Sequence, residues 1–86
     1  MSHDLPAYER FLIRGRVGAD SFAPWIARHA AKLGVLCRID RQMGDELEAS
    51  LSGPAELLDA MEMACLLGPI DVWVDEIERR WLNNAF

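Results

Sequence analysis

The chain repeats one pattern. Gly34 and Gly68 each end a stretch with apolar side chains at helical spacing, and each stretch follows a segment in which apolar and polar residues alternate. In "FLIRGRV", Phe11, Ile13 and Val17 fall on one face while Leu12, Arg14 and Arg16 fall on the other, giving a strand from about Tyr8 to Val17. From Ser21 the period changes: Phe22, Trp25, Ile26, Ala30 and Leu33 follow the i, i+3, i+4 rule of an amphipathic helix. Ser21 is placed to cap that helix, Pro24 falls in its first turn and Gly34 stops it. "VLCRID", Val35 to Asp40, reads as a second strand, and "RQMGD" as its turn, with Gly44 suited to a positive φ.

The second half follows the same plan. "ELEASLS" turns Leu47, Ala49 and Leu51 inward and Glu46, Glu48, Ser50 and Ser52 outward, until Gly53 and Pro54 break it. A helix from Ala55 to Leu67 carries Leu57, Leu58, Met61, Ala64 and Cys65 on its stripe, and Gly68 and Pro69 end it. "IDVWVDEI" is a fourth strand, and "ERRWLNNAF" either adds a short edge strand or frays. Two strand–helix–strand units with right-handed crossovers interleave into a four-stranded antiparallel sheet of order 4-1-3-2 with both helices on one face. The expected class is therefore α+β, the βαββαβ ferredoxin-like α/β sandwich. Its open sheet face would carry Leu12, Leu36 and Trp73, a contact surface for a protein partner or a second copy. A fold this widely used does not define a function.

Composition narrows the choices. Residues 1–86 suffice for one domain, with 1–7 and 83–86 expected as loose ends. No apolar run approaches the roughly 20 residues of a membrane span, and "MSHDLPAYER" does not resemble a secretory leader, so the expected location is cytoplasmic. A net charge of −5 disfavours nucleic acid, whose affinity depends on cations meeting phosphates. An RNA-reading module would want rings and bases on the central strands, where "ELEASLS" is acidic. Cys37 and Cys65 lack metal-ligand spacing, and His3 and His29 supply no ligand set, so neither metal nor cofactor is expected. Arg14, Arg16 and Arg38 read as outward sheet residues paired with Glu46, Glu48 or Asp40. Trp25 reads as core, and Trp73 and Trp81 as candidates for a contact surface.

"GRVGADSFAPWIARHAAKLG", residues 15–34, is more specific. It resembles the signature of the acylphosphatase family: a Gly-Arg-Val strand end, a glycine-rich turn, Phe-Arg, and a helix ending in Leu-Gly. The similarity runs without a gap to Gly53-Pro54 and Gly68-Pro69, which match breaks common in the family. The resemblance implies a hydrolase of carboxyl-phosphate bonds, in which loop amides wrap the phosphate, an arginine ends the loop, and an asparagine after the second strand orients water. Such a ring of amides at a helix N-terminus is a sound anion site. The corresponding phosphate loop here is Val17, Gly18, Ala19, Asp20, Ser21, Phe22 and Ala23. The clamping arginine falls on Ala23 and the water-orienting asparagine on Arg41, so neither catalytic position is intact.

Three readings fit this loop. In the first, Asp20 or Ser21 accepts the loop's own amides and caps the helix, filling the anion site from within. In the second, Arg41, with Arg16 or Arg38, supplies the guanidinium from across the cleft and the chain is an active acylphosphatase that binds a small anion. The third is a site for an unphosphorylated ligand, or no site. A carboxylate about 6 Å from a doubly charged phosphate, at an effective dielectric of about 20, repels it by roughly 5 kcal/mol. With Ala23, this favours a domain without the family's hydrolysis, acting by binding through its open sheet or its altered loop.

Overall fold

The computed structural model describes residues 6–83, in the order β1 (Ala7–Arg16), α1 (Phe22–Leu33), β2 (Leu36–Gln42), β3 (Glu46–Gly53), α2 (Ala55–Leu67) and β4 (Trp73–Trp81). The strands form one antiparallel sheet in the order β2-β3-β1-β4, the arrangement expected from the repeated pattern. The expected loose ends lie largely outside the described residues, although Ala7 already belongs to β1.

Alternation on the central strands builds the core. Phe11 and Ile13 from β1 and Leu47, Ala49 and Leu51 from β3 meet Phe22, Ile26 and Ala30 from α1 and Leu58, Met61 and Cys65 from α2, all essentially buried. Each large apolar side chain buried there contributes on the order of 2 kcal/mol. Trp25 is partly buried and packs against this cluster, its ring 5.9 Å from Phe22 and 4.0 Å from His29. Gly34 ends α1 in the left-handed conformation, φ 79°, a region that only glycine enters without steric cost. Burial pushes the Cys65 thiol up to about 12 and that of Cys37 up to about 11, so both are packing residues rather than nucleophiles.

β4 departs from its expected bounds. The Val72 N–H donates to the Pro69 carbonyl and closes a turn, so the strand begins at Trp73 rather than Ile70. Its far end continues through Trp81 because Glu78, Arg79, Arg80 and Trp81 pair with Leu12, Phe11, Arg10 and Glu9 of β1. Gly44 does not take the positive φ expected of it; that conformation is confined to Gly15, Gly34 and Gly68 among the described residues.

On the open face, an ion-pair lattice covers the sheet. Arg14 reaches Glu46, Glu76 and Glu78 at 3.1, 2.8 and 3.2 Å, and Arg38 reaches Asp40 at 2.6 Å. Burial of Asp40 opposes its ionisation. Hydrogen bonds from Ser50 and Arg38, with the charges of Arg38 and Arg10, outweigh that cost and hold its carboxyl below the usual range. Beneath the lattice Leu12 is only 7% exposed, while Leu36 and Trp73 are both 67% exposed on opposite edge strands. The three residues therefore do not make one apolar patch. Arg16 also departs from expectation: among the described residues it has no ion pair, and it lines a shallow cleft with Trp73 and Asp75.

A second charged group lies on the helix side. Glu9 is 7% exposed, and Arg79 grips it twice, at 2.6 and 3.0 Å. The same guanidinium reaches Asp59 at 2.7 Å and Glu62 at 2.8 Å on α2, and stands 5.1 Å from the centre of the Phe11 ring. One cation thus ties β4, β1 and α2 together. Removing it leaves a buried carboxylate without a partner, which typically costs several kcal/mol. Arg79→Leu is expected to lower unfolding free energy by about 3 kcal/mol in urea denaturation, and Arg79→Leu with Glu9→Leu to recover part of that loss.

Candidate functional site

The loop after β1 is shaped by backbone lying on backbone. Gly15 has φ 148°, and a Cβ built there would sit 2.1 Å from the Trp73 carbonyl oxygen, so no other residue fits without moving β4. The register between β1 and β4 shifts at this point, a β-bulge between Arg14 and Gly15. The Gly15 and Val17 N–H groups then donate to the carbonyls of Asp45 (3.2 Å) and Gly44 (3.0 Å) in the β2–β3 turn. A Cβ on Gly18 would come 2.9 Å from the Gly44 Cα, so the loop and that turn are in direct contact.

The side chain that fixes the loop is Gln42. Its carboxamide N–H₂ donates to the Val17 carbonyl at 2.8 Å and to the Ala19 carbonyl at 3.0 Å. The Phe22 N–H turns back to the Ala19 carbonyl at 3.0 Å, and Trp25 N–H to the Ser21 carbonyl at 3.1 Å, which starts α1. With the carbonyls held in this way, no backbone carbonyl among the described residues accepts from the N–H groups of Gly18, Ala19, Asp20 or Ser21. Four successive donors at a helix N-terminus thus have no backbone acceptor among the described residues, the raw material of an anion cradle.

The charged positions do not complete that cradle. Ser21 occupies the N-cap position but makes no side-chain capping bond. Its hydroxyl instead donates to Asp71 at 2.7 Å, and Asp20 is exposed, so the first reading of the loop, a cap filling the anion site from within, is not the arrangement adopted. Ala23 is partly buried against the core and brings only a methyl group to the loop's end.

Arg41 points away. Simple alternation along β2 would place residues 37, 39 and 41 on the inner face with the loop. A register shift between Ile39 and Arg41 moves the phase by one, so that Ile39 pairs with Ala49, Arg41 with Glu48 and Gln42 with Leu47. Arg41 therefore emerges on the open face, where its guanidinium meets Glu46 at 3.3 Å and Glu48 at 3.4 Å. The inward place passes to Gln42. Sequence reasoning missed this residue because it lay in the presumed turn and the bulge leaves no compositional mark.

Two solved structures share this fold. An acylphosphatase from Coxiella burnetii superposes with a TM-score of 0.83 at 13% identity, covering 95% of this chain and 88% of that one. The acylphosphatase of Bacillus subtilis gives 0.81 at 19% identity, over 91% of this chain and 87% of that one. At these identities the likeness establishes the fold. In sequence, the chain is 33% identical over 78 residues to the acylphosphatase of Azorhizobium caulinodans, spanning 91% of this chain and 80% of that protein. No family model matches. The chain belongs to the acylphosphatase family.

Gln42→Ala removes two hydrogen bonds to the loop while leaving the sheet paired, at a cost of about 1–2 kcal/mol. Amide hydrogen exchange is expected to accelerate at residues 17–22 and to stay unchanged at Ile77; equal acceleration at both would mean that Gln42 supports the whole fold rather than the loop.

Proposed function

We propose that this chain is an acylphosphatase-family domain that has lost hydrolysis of carboxyl-phosphate bonds and acts as a binding domain. The observation that carries the reading is the placement of Arg41, whose guanidinium is engaged by Glu46 and Glu48 on the open face while Ala23 stands at the loop's end. The resemblance assigns the clamp and the water-orienting group to those two positions. Both groups are missing, and no other cation is bonded to the loop among the described residues.

Magnitudes support loss. Phosphoryl transfer proceeds by positioning and charge stabilisation, and an arginine aimed at the transferring group contributes roughly 10³ to 10⁵ in rate in other enzymes of this chemistry. A methyl group contributes none of it. Asp20 adds repulsion, moderated by its exposure to solvent. The alternative, active hydrolysis with Arg41 as clamp, would require that side chain to leave two carboxylates and cross from the open face to the loop.

The purified chain is expected to hydrolyse an aryl acyl phosphate no faster than about ten times the spontaneous rate, against the roughly 10³-fold loss or more that a missing arginine implies. Ala23→Arg combined with Asp20→Gly is expected to restore measurable turnover, because the amide donors persist. Rapid hydrolysis by the unmodified chain that disappears on Arg41→Ala would overturn the proposal.

A further inference from the structure

We propose that the helix layer is a self-complementary surface through which two copies of this chain associate. The two helices divide the charge between them. α1, "FAPWIARHAAKL", contains Arg28 and Lys32 and no carboxylate; α2, "AELLDAMEMACLL", contains Glu56, Asp59 and Glu62 and no cation. Indeed no Lys, Arg or His occurs anywhere from residue 43 to residue 78. Arg28, Lys32 and Glu56 are exposed, and among the described residues none of the three takes part in an ion pair.

α2 is also apolar beyond the stripe it buries. Leu58, Met61 and Cys65 face the core, yet Met63 is 66% and Leu67 85% exposed on the outside of the same helix. A helix that is apolar on more than one face ordinarily has something packed on each.

Topology places these features in register. Each helix runs back along the strand that precedes it, and β1 and β3 are antiparallel, so α1 and α2, which touch, run antiparallel. The basic half of α1 therefore lies at the same end of the layer as the acidic start of α2. At the other end, exposed Pro24 accompanies Met63 and Leu67. About a two-fold axis parallel to the helices, α1 of one copy lies over α2 of the other. Arg28 and Lys32 then face the partner's acidic helix start, and the apolar ends meet. The contact is isologous, so every favourable pair is made twice.

Its size fixes its strength. Two helices each about 20 Å long, spaced about 10 Å apart, offer roughly 400 Å² per copy. A total near 800 Å² is below the range of stable complexes, which implies a salt-sensitive, concentration-dependent dimer.

Sedimentation equilibrium of the full chain tests it. In low salt the mean mass is expected to rise from 9.7 kDa toward twice that value as concentration approaches about 1 mM, and to fall back at about 0.5 M salt. Arg28→Glu with Lys32→Glu should remain monomeric, as should Glu56→Lys with Asp59→Lys, and an equimolar mixture of the two should form a heterodimer. If the second variant loses its helical circular dichroism, Glu56→Lys alone replaces it. A chain that stays monomeric across the concentration range, or a dimer indifferent to the Arg28 and Lys32 changes, would overturn the proposal.

Discussion

One steric fact shapes the site: the end of β1 and the loop after it lie between β4 and the β2–β3 turn with no room for side chains. Gly15 abuts the Trp73 carbonyl, and Gly18 abuts the backbone of Gly44. With those contacts made, the chain must leave the sheet at Val17 and turn tightly before α1. Gln42 then holds the turn by its carbonyls, and the amides of residues 18–21 meet no backbone carbonyl among the described residues. The backbone thus makes a tight turn, while Ala23 ends the loop and Arg41 pairs with Glu46 and Glu48 on the open face. The loop's shape rests on glycines and one carboxamide.

Much of this was legible in the sequence. The stripes of α1 and α2 predicted their buried residues, since helical periodicity reports a real face, and Gly34 and Gly68 marked both helix ends. The strand order followed from the doubled unit. Ala23 and Arg41 could be placed by gapless resemblance alone. What the sequence concealed is phase. A bulge inserts a residue without changing composition, so the bulge before Arg41 silently exchanged the faces of Arg41 and Gln42. The bulge at Gly15 did the same for the start of β4.

Charge was concealed for a different reason. Alternation treats a charged residue as outward, yet Glu9 and Arg79 lie on the helix side, where the carboxylate is buried because its partner satisfies both oxygens. Only the pairing of strands 70 residues apart brings them together. Likewise Leu12, apolar on the supposedly open face, is buried within the chain itself, on strands whose neighbouring residues form an arginine–glutamate lattice. On the other side of the sheet, an acidic and a basic helix lie next to each other.

Amide-resolved NMR during titration with inorganic phosphate measures directly whether the loop holds an oxyanion. The predicted result is small, unsaturated shifts at residues 17–23 up to about 100 mM phosphate, as expected for dissociation constants well above the millimolar range. Saturating shifts confined to those amides, with a dissociation constant below about 1 mM, would contradict it.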